Sequence, residues 1–474
     1  MRNRRIVASI AGLVVLAGTI SVSGTAAASP SRQASAPSVS AAQPAVGVSA
    51  AAWQPPRNYV MPPGSSFGLP NASKAERLAI RNRVLFTIQG VWGGPRDRNR
   101  LPLPSNGTIR IATWSFNDMA IARALVAAHK RGASVQVIAA KGPNKAYRPW
   151  KFLKKALGQR YYAPGIAGSA EKVSFARECR GACRGRGGTP HAKYFMFDNV
   201  GAAHARRIVM QSSMNLTGMG YQGQWNQAQT THSPYVYDHF MRVYREARLN
   251  RPVSSSYRRY ASGSITDVFF PFPGANAGTD PVMQLLNQTR CTGATSGGNS
   301  AGRTRIRVLQ YAIYDDRGLW LSKKLRSLWN AGCDVQIIYS LATRPVLAIL
   351  RNGSGRGGIP MRQSVIKNGA GEIVKYNHSK WMTITGNVGS STAAWWTFAG
   401  SANWSNLGLT GDEQMQQISS YATARAHMLN FDKTWRQRTS RPPGNGRLGD
   451  ELRRAPTEIT FGKGAYKYLT PYGG

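Results

Sequence analysis

Two short constellations in the chain carry residue types suited to chemistry at phosphorus. His191 and Lys193 stand two residues apart at the head of an apolar run, Tyr194 to Phe197, and His378 and Lys380 do the same before Trp381 to Ile384. Alternate residues of a strand face one side, so each imidazole shares a face with its ammonium group. A serine and an asparagine follow at the end of a later strand in both copies: Ser213 and Asn215 in the first, Ser401 and Asn403 in the second, at nearly equal spacing from the histidine. Two such sets facing each other would gather two imidazoles, two ammonium groups and two amides around one point. That suits a phosphodiester: one histidine attacks phosphorus, the other protonates the leaving oxygen, and Lys and Asn hold the phosphoryl oxygens as charge moves. A single His-x-Lys says little, and its repetition in the same order carries the reading. No HExxH, P-loop or EF-hand pattern occurs, and carboxylates are too scarce for the acid clusters of two-metal hydrolysis. A zinc site built from Cys179, Cys183 and His191 lacks a matching fourth ligand. The expectation is therefore a site without metal or other cofactor.

The elements that must position these residues are themselves duplicated. Ile109 to Trp114 reads as a strand, Asp118 to Lys130 as a helix with Ile121, Leu125 and Val126 on one face, and Ser134 to Ala139 as a second strand. The same order returns with Ile306 to Tyr311, a helix marked by Leu321, Leu325 and Leu328, and Asp334 to Tyr339. Arg131-Gly132-Ala133-Ser134-Val135-Gln136-Val137-Ile138 aligns without a gap against Ala331-Gly332-Cys333-Asp334-Val335-Gln336-Ile337-Ile338. Strand–helix–strand repeated in this way implies parallel pairing with helices on the faces. Each copy then closes with a short polar strand and a helix, about 235–248 and 422–437. A further helix is expected from Asn71-Ala72-Ser73 towards Ile88. The fold expected is α/β: two pseudo-repeated lobes with mixed, largely parallel sheets packed around one shared active site. Residues 57–251 form the first lobe, 252–302 a connection rich in Ser, Gly and Pro, 303–440 the second lobe and 441–474 a tail.

At the paired motifs the chain resembles the phospholipase D superfamily, whose mark is HxKxxxxD twice, each followed by a GSxN-like turn. His191, Lys193 and Asp198 match the first motif in full, with Ser212 where its turn usually has Gly. The second keeps His378, Lys380, Gly400, Ser401 and Asn403 but has Thr385 in the Asp position. Phe269 to Gly274 resembles the family's approach to its second half. The resemblance implies a covalent phosphohistidine formed without a metal, and a mainly structural Asp198. In the family a carboxylate just after the second Ser-x-Asn commonly orients the first histidine. Asp412 and Glu413 stand there, Glu413 being the better placed, while Asn226-Gln227 at the equivalent place offers no carboxylate. The expected roles are His191 as nucleophile, His378 as general acid and then base, and Lys193, Lys380, Asn215 and Asn403 on the phosphoryl oxygens. Ser213, Ser401 and Arg186 are expected to bind substrate. His129, His204, His232, His239 and His427 have no partner pattern and read as structural.

Composition bears on the substrate and on where the protein works. The 474 residues carry 62 Lys+Arg against 20 Asp+Glu, a net charge of +42, which favours an anionic partner, although an Arg-, Ala- and Gly-rich bias accounts for part of the excess. Residues 1–28 have the three parts of an export signal: Arg2, Arg4 and Arg5, an apolar run from Ile6, and Ala26-Ala27-Ala28. Residues 29–56, rich in Ala, Ser and Pro, read as a flexible spacer. The expected location is extracellular, where four cysteines suit disulfides. Three pairings are open, and closeness in sequence favours Cys179–Cys183 with Cys291–Cys333. The function expected is a secreted phosphodiesterase, with release of a phospholipid headgroup as the first reading. It would touch an anionic membrane surface through its basic face, with Trp381, Trp395 or Trp396 near the interface, and no stable protein partner is implied. The alternative is a nuclease whose Arg177, Arg180, Arg184 and Arg186, with Arg351, Arg356 and Arg362, follow a nucleic-acid backbone. A third reading is an anion-binding protein with a degenerate site, suggested by Thr385 and by the missing carboxylate near Asn226.

Overall fold

The computed structural model describes residues 55–98, 100–158, 169–353, 355–437, 440–441, 452–453 and 455–472, all within one compact unit. The expected export signal and nearly all of the spacer lie outside the described residues. In the first lobe the strands are β1 (Gly64–Gly68), β2 (Thr108–Thr113), β3 (Ser134–Ala140), β4 (Phe175–Cys179), β5 (Tyr194–Asp198), β6 (Ile208–Ser212) and β7 (Gln224–Thr231). They lie in the order β1-β7-β6-β5-β2-β3-β4, parallel through β2, β3 and β4 and antiparallel elsewhere.

The second lobe repeats this plan with β8 (Arg258–Ser262), β9 (Ile265–Phe269), β10 (Arg305–Ile313), β11 (Asp334–Ala342), β12 (Met361–Lys367), β13 (Ile373–Asn377), β14 (Lys380–Val388), β15 (Ser391–Gly400) and β16 (Gln414–Ser419). Their order is β8-β9-β16-β15-β14-β10-β11-β12-β13, and the parallel run is again the strand–helix–strand portion, β10, β11 and β12. Residues 258–269 are therefore sheet edge: β9 pairs with β16 as β1 pairs with β7. The two sheets meet where β13 runs parallel to β7, Tyr376 opposite Gln224 and Asn377 opposite Trp225.

Helices cover the sheets where the periodicity places them. Asp118 accepts from the N–H of Ile121 and starts helix α1 (Met119–Lys130), whose Ile121 and Leu125 are fully buried against Ile109, Val135 and Val137. Its counterpart α2 (Asp315–Asn330) lays Leu321 and Leu325 on Ile306, Val335 and Ile337. Fully burying one such aliphatic side chain contributes roughly 1.5–3 kcal/mol. The closing helices Pro234–Ala247 and Tyr421–Arg436 start at Ser233 and Ser420, whose side chains accept from Val236 and Thr423. Ser73 and Glu76 form a capping box, with the helix interrupted at Leu78 before Ala79–Gly90. Disulfides join Cys179 to Cys183 and Cys291 to Cys333, so Cys179 and Cys183 offer no thiolates to a metal.

Candidate active site

His191 stands three residues before β5 and His378 two before β14, where the two sheets touch. The N–H of His191 donates to the carbonyl of Asp412 in the other lobe at 2.9 Å, and the N–H of His378 donates to that of Trp225 at 2.8 Å. Each motif is thus held at its backbone by the residue before the opposite lobe's orienting position. Strand alternation then turns Lys193 and Lys380 to the same side as their histidines. The Lys193 ammonium donates to the carbonyl of His191, and the Lys380 ammonium to that of His378 at 2.6 Å. All four side chains are fully buried.

Behind each imidazole lies a matched set. Glu413 Oε1 meets His191 Nδ1 at 2.6 Å, and Ser401 donates its hydroxyl to Glu413 Oε2. Asn226 Oδ1 meets His378 Nδ1 at 3.1 Å and accepts from Ser213 at 2.7 Å. Asn226 Nδ2 donates to the carbonyl of Gly220 at 2.7 Å, which fixes which end of the amide faces His378. Gln414 accepts from the N–H of Lys193 and donates to its carbonyl, while Gln227 does the same for Lys380. The lobes therefore exchange orienting groups across a pseudo-two-fold, and the exchange is unequal in one respect: a carboxylate stands behind His191 and an amide behind His378.

In front, the two Nε2 atoms converge on one oxygen, the carbonyl of Tyr472, at 2.8 Å from His191 and 2.9 Å from His378. Asn403 Nδ2 donates to the neighbouring carbonyl of Pro471 at 3.0 Å. Aromatic rings wall this point: Trp114 lies 6.2 Å from the His191 ring, and Tyr311 and Tyr376 lie 5.1 and 6.1 Å from the His378 ring.

Burial sets the proton inventory. It lowers His191 to about 4, although Glu413 pulls the other way, so His191 is a neutral imidazole whose Nδ1–H is directed at an ionised carboxylate. Burial alone would raise Glu413, but His191, Lys193 and the Ser401 hydroxyl together hold it below the usual carboxylate range. His378 is driven well down by burial and then by Lys380 and Lys193. Lys193 falls to about 7 through burial, and Lys380 falls well below the ordinary lysine range through burial and the nearby Lys193. With burial holding all four basic groups down, the site favours their uncharged forms until an arriving anion offsets the cost of protonation.

The remaining sequence-derived residues fall into three places. Asp198 closes β5 by accepting from Arg206 and the N–H of Arg207, and Thr385 donates to the carbonyl of Gly297; both are scaffold. Ser213 and Ser401, expected to touch substrate, instead have their hydroxyls engaged with Asn226 and Glu413 and stand behind the histidines. Arg186 is exposed and lines a surface groove with Pro252, Tyr257 and Phe272, separate from the histidines. Arg184 is 1% exposed and is bound to Glu246 and the carbonyl of Phe270, so it cannot follow a polyanion. Trp381 is core, 1% exposed beside Phe431. Asn226, Gln227, Gln414 and the segment ending at Tyr472 were not foreseen. The first three had a signal, the pairing of Asn226-Gln227 with Glu413-Gln414 after each Ser-x-Asn; the last had none.

Among curated proteins no sequence matches the chain. Residues 104–247 match the family described as "Cardiolipin synthase, PLD-like domain". Among solved structures, phosphatidylserine synthase from Haemophilus influenzae Rd KW20 aligns with 82% of this chain and 88% of its own at 12% identity, TM-score 0.51. Polyphosphate kinase from Porphyromonas gingivalis also aligns with 82% of this chain at 12% identity, TM-score 0.50, but this chain spans only 54% of it. These likenesses concern the fold. The family match spans the first motif, and a second lobe of the same plan repeats that motif, so residues 104–247 are similar to a PLD-like domain and the chain as a whole shares the fold of these structures.

Proposed function

We propose that the protein is an exported phosphodiesterase that releases the headgroup of a phospholipid through a covalent phosphohistidine. The observation that carries this reading is the convergence of both imidazole Nε2 atoms on one point, each with its Nδ1 turned to a side-chain oxygen behind it. In the first step the Nε2 lone pair of neutral His191 forms the bond to phosphorus. The bond from phosphorus to the headgroup oxygen breaks, and that oxygen takes the proton from Nε2 of His378, which the anionic phosphodiester helps to keep protonated. Glu413 stabilises the imidazolium formed at His191. A water then gives a proton to His378, its oxygen bonds to phosphorus, and the phosphorus–nitrogen pair returns to His191. Lys193, Lys380, Asn215 and Asn403 hold the non-bridging oxygens throughout.

Two features favour a lipid over a nucleic acid. The walls beside the histidines are aromatic, Trp114, Tyr311 and Tyr376, and several arginines assigned to a polyanion track are engaged within the fold. Arg177 donates to the carbonyl of Arg248, Arg351 to that of Ile359, and Arg356 lies over the Trp329 ring. The net charge supports contact with an anionic membrane surface, and the pattern of residues 1–28 supports export. The test is choline release from phosphatidylcholine and nicking of plasmid DNA by the purified protein, each with chelator and with His191→Ala. Headgroup release that survives chelator and is lost in the variant is the expected result. DNA nicking with those dependencies, and no choline release, would replace the lipid reading; inactivity on both would leave a binding protein.

A further inference from the structure

The point between the two histidines is occupied by the chain itself. The segment 455–472 runs back over the second lobe, where Ile459 and Leu469 are buried among Tyr311, Leu341, Ile373 and Tyr376. Its last three described carbonyls then each meet a residue of the site. Thr470 accepts from the Tyr311 hydroxyl at 2.9 Å, Pro471 accepts from the Asn403 amide at 3.0 Å, and the Tyr472 carbonyl lies 2.8 and 2.9 Å from the Nε2 atoms of His191 and His378. The Tyr472 ring packs 5.7 Å from Trp114, on the opposite lobe.

We propose that residues 455–472 are an autoinhibitory strap that competes with substrate for the catalytic histidines, its Tyr472 carbonyl standing where a phosphoryl or leaving-group oxygen would bind. This rests on the reading of His191 and His378 as the pair that brackets phosphorus. The groups that contact the strap are those a phosphodiester needs: two imidazole Nε2 atoms and the Asn403 amide cannot serve a peptide and a phosphoryl group at once. The competition is intramolecular, so the strap acts at an effective concentration set by its tether and its apolar footing. A bare oxyanion competes only for the polar end. A ligand carrying both a phosphoryl group and an apolar chain competes also for the groove of Tyr311, Ile373 and Tyr376, so the strap favours substrates of that kind.

Apparent affinity falls in proportion to the open fraction, so a strap closed in about nine molecules of ten weakens oxyanion binding about tenfold. The test measures tungstate affinity by calorimetry, with turnover of bis(p-nitrophenyl) phosphate beside it, in three folded proteins: the full chain, a chain ending at Thr470, and the full chain with Leu469→Asp. The expected result is tungstate bound at least about tenfold more tightly by both altered proteins, with a synthetic peptide of residues 455–472 reversing the gain. Tungstate affinity in the chain ending at Thr470 equal to or below that of the full chain overturns the strap, whatever the turnover. Tighter tungstate binding without turnover in any of the three keeps the strap and removes the enzymatic reading. Equal affinities with full turnover remove the strap and leave that reading intact.

Discussion

Glu413 and Asn226 occupy equivalent places behind equivalent histidines, and the difference between a carboxylate and an amide is what separates the two roles. A carboxylate that accepts the Nδ1 proton fixes the tautomer of His191 with Nε2 free and stabilises the cation that develops on attack. The amide does the first for His378 but carries no charge for the second. Two expectations follow. Glu413→Gln keeps an acceptor but loses the charge, and kcat should fall roughly 10²- to 10⁴-fold, as when a triad carboxylate becomes an amide, with KM little changed. Asn226→Asp should make the histidines alike: the phosphoryl adduct trapped by alkaline denaturation, expected on His191 alone in the native protein, should divide between His191 and His378. Label confined to His191 in Asn226→Asp would show that something other than the buried carboxylate sets the direction. The inequality was visible in the sequence, where Glu413-Gln414 faces Asn226-Gln227 in the repeat. Hidden were the Ser213 and Ser401 positions, because Ser-x-Asn spacing fixes a place on a strand end and not which way a hydroxyl points.

Strand ends and the loops between them fix the site, and one loop has no counterpart in the repeat. The Cys179–Cys183 disulfide closes a short loop after β4, and the side chain of Asp412 accepts the N–H groups of Cys183 and Arg184. The carbonyl of Asp412 in turn receives the N–H groups of His191 and Ala192. Asp412 thus ties the disulfide loop to the nucleophile's backbone and lies beside Glu413 in the chain, as a positioning residue that touches no reacting atom. Asp412→Ala leaves two buried N–H groups without an acceptor, at a cost of roughly 1–3 kcal/mol each. The expected outcome is a lower melting temperature and a reduced kcat, with Asp412→Asn, which retains one of the two acceptor oxygens, recovering part of both. A normal kcat in a folded Asp412→Ala protein would sink the positioning role. At this scale the sequence was informative for the strand–helix–strand repeats, because period and apolar runs report a core directly. It did not reveal that residues 258–269 continue the second sheet, since an exposed edge strand such as Arg258–Ser262 has no apolar run to announce it.

Across the whole molecule the excess positive charge divides into two populations, and only one faces solvent. Arg110 and Arg307, equivalent in the two lobes, turn inward and donate to carbonyls at the start of the next strand, Ser134 and Asp334. Arg184 and the Arg317–Asp280 pair are likewise buried. Net charge alone could not separate such scaffold arginines from a binding face. Buried histidines tie the molecule to pH more directly. His191 and His427 both lie near 4, and His378 lies well below its ordinary value, in each case with burial as the largest cause. Their unfolded values lie near 6.5, so between about 4 and 6.5 the unfolded chain binds more protons than the folded one. Stability therefore rises with pH across that window and is lost as pH falls through it, by roughly 3 kcal/mol for a group shifted as far as His427. His427 offers a clean test because it sits away from the catalytic pair, packed between Phe67 and Trp381 and bonded, among the described residues, to the carbonyl of Thr423. Replacing it by Phe removes one titrating group without touching the others. Urea midpoints recorded between pH 4 and 7 should decline less steeply in His427→Phe than in the native protein, with the two curves differing by a constant above pH 7. Parallel curves through the whole range would mean that His427 does not carry this part of the acid sensitivity, which would then rest on the histidines of the site and on Glu413, the carboxylate that orients one of them.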